Sequence, residues 1–146
     1  MKLGRHQRAV VALMVGLSGL AGIDCGYTSS RTGRVLASGR FHQVAHRGTG
    51  RAAVYAVPGR RLVLRLTDFR TDEGRDLEVL LIDAPDALEN ETVENANSLS
   101  LGSLESVEGD QSYELPDGLE LGKYRAVTIW SRRYRVNFTT APLTTE

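Results

Sequence analysis

Two histidines, His42 and His46, are the side chains of this sequence best suited to proton transfer or metal binding. They are four positions apart. That spacing brings two side chains together on a helix but leaves them about 13 Å apart along a strand. Because the residues around His42 alternate as in a strand, we predict no metal site, and a site built on this pair remains the alternative. His46 follows the strand in a glycine-rich loop, where its imidazole could titrate.

The carboxylates do not form a recognisable catalytic or metal-binding motif. Asp68, Asp72 and Asp76 recur at intervals of four, without the spacing of a calcium loop. Asp76 has two interpretations, a turn cap that bonds backbone N–H groups, which we favour, and a functional carboxylate. The sequence has no nucleophile elbow, phosphate-binding loop, zinc-protease motif or cysteine pair. We therefore predict no catalytic residue, identify no cofactor, and expect a protein that is not an enzyme.

The N-terminal residues have the profile of an export signal. Lys2, Arg5 and Arg8 precede an uncharged apolar run over residues 9–23. A run of this length behind a positive head is typical of a secretory signal and is short for a membrane span. We therefore predict a signal or membrane-targeting segment at residues 1–24 and an extracytoplasmic location, secreted, periplasmic or anchored in the cell envelope.

Cys25 is the only cysteine, so the chain cannot form an intramolecular disulfide. Its position directly behind the apolar run suggests lipidation, but Asp24 departs from the usual small residue before a lipidated cysteine. A free cysteine is the favoured interpretation and lipidation the alternative. Residues 25–34, rich in Ser, Thr and Gly, are predicted to be a flexible tether.

Composition limits the partners. The chain has 18 basic and 18 acidic residues and no basic run interleaved with aromatic residues, so no nucleic-acid binding is expected. Contact with a membrane is expected only through the N-terminal segment or a lipid on Cys25. The predicted partner is an unknown protein or small molecule at the cell surface.

The domain that positions these residues is predicted to be all-β. Residues 35–146 divide into short alternating apolar segments separated by turns, typical of a single β-sandwich of about seven or eight antiparallel strands. The first strand is predicted at residues 35–44, with a bulge at Gly39. Leu77–Ile82 is apolar at nearly every position, which predicts a strand buried on both faces. Residues 123–143 are predicted to form the central pair of strands, and Trp130 is predicted to fill the centre of the core between the two sheets. Tyr134 and Phe138 are predicted to face that core, and Arg133, Arg135 and Asn137 to face water. Residues 84–99 lack a strand period and are predicted to form a long surface loop with at most one helical turn.

Several of these segments, in order over residues 39–143, resemble the DM13 domain family. The opening resembles it at Phe41 and His46, the middle at Asp76, and the later segments at Gln111, Tyr113 and Trp130. The resemblance implies a secreted or membrane-anchored β-rich domain suspected of electron transfer, a suspicion that rests largely on a cysteine directly after the tryptophan. Ser131 stands at that position in this chain.

Two functions follow from these observations. The first is a non-catalytic binding or structural module that presents residues 84–99 and neighbouring turns to a partner. The alternative, which the resemblance implies, is electron transfer. A serine hydroxyl cannot replace a thiol as the redox group, so the substitution at Ser131 favours the first. A cysteine placed there is expected to be reactive, because Arg132 and Arg133 would favour the thiolate.

Overall fold

The computed structural model describes residues 33–146. The predicted signal segment, Cys25 and most of the predicted tether therefore lie outside the described residues. The elements, in chain order, are β1 (Arg34–Arg40), β2 (His42–Gln43), β3 (Gly48–Val57), β4 (Arg61–Thr71), β5 (Leu77–Ile82), α1 (Asn90–Asn95), β6 (Ser98–Ser103), β7 (Glu108–Glu114), a 3-10 turn (Leu121–Lys123), β8 (Ala126–Ser131), β9 (Val136–Pro142) and β10 (Thr144–Thr145).

The strands form two antiparallel five-stranded sheets, in the orders β10-β1-β3-β4-β7 (sheet A) and β2-β9-β8-β5-β6 (sheet B). Strands β2 and β10 have only two residues each, which leaves eight longer strands. The prediction of an all-β sandwich is confirmed. Its main core lies between the sheets and takes Leu64 and Leu66 from sheet A and Val127 and Ile129 from sheet B.

Strand β5 explains how a second, smaller core arises. Its apolar run was predicted to be buried on both faces, and the structure confirms this. Leu77, Val79 and Leu81 join the main core, whereas Leu80 and Ile82 point outward into a separate cluster. A strand that is apolar at nearly every position must be covered on both sides, because alternate side chains point to opposite faces.

The first predicted strand, residues 35–44, is in fact two strands in different sheets. The chain leaves sheet A after β1 and enters sheet B at β2, with Phe41 buried between them against Phe69. Gly39 does not mark the bulge predicted for it, since the register shift lies between Val35 and Ala37. Its role is close approach, because a Cβ at Gly39 would collide with the carbonyl oxygen of Pro142.

The central pair is confirmed as an antiparallel hairpin, with Phe138 in the core and Arg133 and Arg135 exposed, but the facing predicted for Tyr134 and Asn137 is wrong. Residues 132–135 are the turn, so Tyr134 is 59% exposed rather than part of the core. Strand β9 begins at Val136. Asn137, predicted to face water, is fully buried. The reason is that the outer face of this hairpin is covered by residues 84–97, which are most of the segment 84–99 that was predicted to be a surface loop.

Candidate functional site

Residues 84–97, here called the cover segment, lie over the outer face of sheet B and contain α1. Ala87 and Val93 of this segment pack with outward side chains of the sheet in the smaller cluster. The buried side chain of Asn137 fixes the segment, since its amide Nδ2 donates to the Ala87 carbonyl (3.1 Å) and its backbone N–H donates to Asn90 Oδ1 (2.9 Å). The segment is therefore a built layer of the domain.

Trp130 belongs to this outer layer. It is buried, at 7% exposure, but it packs with Ala126, Val93 and the other members of the smaller cluster instead of filling the main core. The prediction that it occupies the centre of the sandwich is therefore wrong. Val127 and Ile129 point inward, and the period of two in β8 sends Trp130 to the opposite face.

A groove of about 550 Å³ opens above Trp130, between the cover segment and the outer face of sheet B. Its apolar lining consists of Leu80, Val93 and Trp130. Its polar lining consists of Glu78, Glu94, Ser98, Ser100, Arg132 and Arg135. Three apolar side chains form its floor and six polar or charged ones surround it, a lining that is more polar than that of most small-molecule sites.

The charged groups of the groove differ in how they are held. Arg135 Nε donates to Glu94 Oε1 at 2.8 Å, which neutralises that pair. Glu78 Oε2 accepts the hydroxyl of Ser100 at 2.9 Å. Arg132 is exposed and, among residues 33–146, has no carboxylate within salt-bridge distance.

A smaller groove of about 140 Å³ continues from the first and shares Glu78, Ser100 and Arg132 with it. Asp76 lines this second groove. Its backbone is left-handed (φ 52°), its carbonyl accepts the N–H of Arg132 at 3.0 Å, and its carboxylate bonds to no other described residue. The favoured prediction, that the Asp76 carboxylate caps a turn, is therefore wrong, because the backbone of Asp76 holds the turn.

Ser131 follows Trp130 but has a different environment. Its side chain is fully buried, its hydroxyl donates to the Arg75 carbonyl at 2.9 Å, and it accepts the N–H of Tyr134 at 3.4 Å. Arg132 and Arg133 are exposed in the turn that follows. The expectation of a reactive thiol at this position is therefore corrected, since a buried side chain is not accessible to reagents.

The two histidines each bond a different carboxylate. His42 Nε2 lies 2.7 Å from Asp86 Oδ1 in the cover segment, and its Nδ1 lies 3.1 Å from the Gln43 carbonyl. His46 stacks on Phe138 with ring centroids 3.8 Å apart, and its Nδ1 lies 3.3 Å from Asp72 Oδ2. Within residues 33–146 no group of three or more His, Cys, Asp or Glu could hold a metal ion.

The pKa of His42 is raised above its usual value. Burial by itself would lower the pKa of His42, but the bonds to the Gln43 carbonyl and Asp86, together with the Asp86 charge, raise it overall above the usual value. Both ring nitrogens face oxygen acceptors, so the doubly protonated ring satisfies both bonds. His42 therefore ties the cover segment to β2 most strongly when it is charged.

Gln111 and Tyr113, on β7, form a buried hydrogen-bonded pair. The Tyr113 hydroxyl donates to Gln111 Oε1 (2.6 Å) and accepts the N–H of Glu105 (3.0 Å), while Gln111 Nε2 donates to the Ser106 carbonyl (2.8 Å). Burial raises the pKa of the Tyr113 phenol. These two residues hold the loop between β6 and β7, and they lie on the other sheet from the Trp130 groove.

Of the site residues predicted from the sequence, Asp76 and Trp130 line the grooves, and so do the chain neighbours of Ser131. Phe41, His46, Gln111 and Tyr113 lie elsewhere. Sequence reasoning missed Glu78, Glu94, Arg132 and Arg135 as groove residues. Glu78 carried a signal, since it is the only charged residue in the apolar run of β5. The others come from a turn and a short helix, whose position over the sheet no local pattern predicts.

Comparison with known proteins identifies the domain. No curated protein and no solved structure matched the chain. Among the described residues no helix is long and apolar enough to span a membrane. A family model described as "Electron transfer DM13" matches residues 40–143, which covers β2 to β9 completely and therefore both grooves. The chain belongs to the DM13 family.

Proposed function

We propose that this DM13 domain is exported and acts at the cell envelope as a non-catalytic binding module, with the Trp130 groove as its binding site. One observation carries the proposal, namely a groove of about 550 Å³ with an apolar floor and charged walls on one face of the domain. Ligand sites combine these two properties, because apolar surface supplies affinity and a few polar groups fix orientation.

The way the groove is built supports this function. Two of its walls come from the cover segment and from the turn after β8, and its floor comes from the central strands of sheet B. Connecting segments that vary in sequence on a rigid sheet are where binding residues concentrate. The buried amide of Asn137 holds the cover segment in place, so the groove is preformed and a ligand need not order it.

A fragment screen by NMR tests the groove. We expect fragments that bind the domain to shift the amides of β5, β8 and α1. Ser98→Tyr should abolish these shifts, because Ser98 lines the groove and a phenol ring would fill part of it. Ser112→Tyr is the matched control, since Ser112 is an exposed strand serine on sheet A, and it should leave the shifts intact. Fragments that bind equally well to Ser98→Tyr would contradict the proposal.

Export is supported by the positive head and apolar run of the sequence, and it is tested on the mature protein. Mass spectrometry should find an N-terminus near Gly22 or an acylated Cys25. A cytoplasmic protein that retains Met1 would refute export.

Electron transfer is the second candidate function, and the description of the matched family favours it. Against a thiol mechanism, Ser131 occupies the position where the resemblance places a cysteine, and a hydroxyl bonded to the Arg75 carbonyl is not a redox group. The test is an absorption spectrum and metal analysis of protein purified from its native compartment. A bound chromophore or stoichiometric metal would support electron transfer over the binding module.

A further inference from the structure

Strand β6 is an edge strand of sheet B and is not guarded as edge strands usually are. It pairs with β5 alone, and its sequence, SLSLGS, has no charge and no proline. The other edges differ, because β2 and β10 have two residues each and β7 carries Glu108, Asp110 and Glu114. Unguarded edges invite pairing with another chain, and natural proteins protect edges that are not used for this purpose.

We propose that β6 receives an extended peptide as an added antiparallel or parallel strand, and that a basic side chain of this peptide enters the smaller groove beside Asp76 and Glu78. This inference rests on the proposed function, since it names the class of partner for the same site. Strand addition supplies affinity through main-chain hydrogen bonds and specificity through pockets for alternate side chains.

The backbone of β6 presents two residues to such a strand. The Asp83 N–H donates to the Asn97 carbonyl, and Leu99 pairs with Leu81 across the ladder, so both Asn97 and Leu99 direct their main-chain groups to β5. The alternation of a strand then turns the main-chain groups of Ser98 and Ser100 to the open edge. Beyond them, Gly102 has a positive φ of 104°, and its N–H already bonds Ser100 Oγ. The open edge therefore extends over residues 98–101.

The side chains of β6 leave room for those of an added strand. Ser98 and Ser100 line the larger groove, and Ser100, Gly102 and Ser103 line the smaller one. Strands lie about 4.8 Å apart, so a long side chain of an added strand can pass over a serine and reach the groove. A bulky residue on β6 would block that path.

Charge indicates which side chain enters. Asp76, Glu78 and Arg132 line the smaller groove, which gives two carboxylates against one guanidinium. The other arginine of the groove system, Arg135, is neutralised by Glu94 at 2.8 Å. The surplus is one negative charge, and a lysine or arginine of the peptide complements it.

A second copy of this chain is a poorer occupant than a peptide. A second copy would present the uncharged SLSLGS strand, which has no basic side chain for the surplus carboxylate.

The test starts from a displayed library of random eight-residue peptides and the whole mature protein. We expect the enriched peptides to carry Lys or Arg and to protect the amides of Ser98 and Ser100 from hydrogen exchange. Methylating the peptide amides at alternate positions separates strand addition from other binding modes. One alternate set should weaken binding about 3- to 10-fold per lost hydrogen bond, and the other set should leave it unchanged.

A matched pair of protein variants tests the charge. Asp76→Asn keeps a residue that tolerates the left-handed backbone and should weaken binding of the basic peptides about 2- to 5-fold. Asp117→Asn, an exposed carboxylate outside both grooves, should have no effect.

Several results would overturn the inference. They are the failure of any peptide to enrich, equal effects of the two methylated sets, and binding that leaves Ser98 and Ser100 unprotected. Self-association that protects these amides would also overturn it and would assign β6 to a second copy. A peptide that Ser98→Tyr blocks but that leaves the two amides unprotected refutes strand addition while the proposed groove stands. The fragment screen tests separately whether the groove is a binding site.

Discussion

Replacing Asn137 by alanine tests the outer layer of the domain most directly. The Asn137 side chain is fully buried between the hairpin of β8 and β9 and the cover segment. Its Nδ2 donates to the Ala87 carbonyl (3.1 Å) and to Thr140 Oγ1 (2.9 Å), and its Oδ1 accepts the hydroxyl of Thr128 (2.5 Å). The alanine variant removes this link between the sheet and the segment that covers it.

The expected loss of stability depends on whether each hydrogen-bond partner of Asn137 finds another partner in the alanine variant. Thr128 retains the Thr139 carbonyl (3.1 Å) and Thr140 Oγ1 (2.9 Å) as hydrogen-bond partners, so both threonine hydroxyls stay satisfied. The Ala87 carbonyl has no replacement for the amide. An unsatisfied buried group costs about 1–3 kcal/mol, and the cavity left by the amide adds about 1 kcal/mol. We therefore expect Asn137→Ala to lower the free energy of unfolding by about 2–4 kcal/mol.

Urea denaturation followed by circular dichroism measures this loss. Trp130, the only tryptophan in the chain, reports on the cover segment at the same time, and its emission should shift to the red at lower urea than the loss of strand structure. Tyr134→Ala, in the exposed turn of the same hairpin, is the control and should cost no more than about 0.5 kcal/mol. If Asn137→Ala also costs less than about 0.5 kcal/mol, Asn137 faces water and the covered face is wrong.

Three further predictions concern Trp130, Ser131 and His42. Trp130→Ala should lower the free energy of unfolding by about 3 kcal/mol. This is the lower end of the range for a buried aromatic residue, because one side of the ring borders an open groove. A cost below about 1 kcal/mol in urea denaturation would contradict its burial. Ser131→Cys, with Cys25 replaced by Ser, should fold and be alkylated only in denaturant, and rapid alkylation of the native protein would show that the side chain is accessible. Because the folded pKa of His42 is raised, its contribution to stability is fully present below the unfolded pKa of about 6.5 and is lost as pH rises through the folded pKa. His42→Gln should therefore destabilise the protein at about pH 5.5 and much less at about pH 8.5 in parallel urea titrations, and an equal loss at both pH values would refute the charged link to Asp86.

The sequence was sufficient to predict the sandwich and most of its strands, because a pleated strand repeats every two residues. The apolar run of β5 has the bounds that were predicted, Leu77–Ile82, and its burial on both faces follows from its composition. Turns were harder to predict, because the apparent alternation of side chains continues through residues 132–135, past the end of β8.

The cover segment and the groove could not be predicted, for a physical reason. The two-residue repeat of a strand shows which side chains share a face of the sheet, but it does not show which face packs against the other sheet. Trp130 and Asn137 share a face in the structure, and both were assigned wrongly, because an outer face with no covering element would have to be polar. The acidic, asparagine-containing segment 84–97 supplies that cover through Ala87, Val93 and the acceptors of Asn137.

The alternation of β8 also separates the two candidate functions in space. Trp130 points outward to the groove, and Ser131, the next residue, points to the opposite side of the strand, where its hydroxyl bonds the Arg75 carbonyl. A thiol at position 131 would therefore lie behind the sheet from any ligand in the groove. The proposed binding uses Leu80, Val93 and the charged rim of the groove, and none of these residues is a cysteine. A serine at position 131 removes thiol chemistry from this position of the domain and changes none of the residues that line the groove.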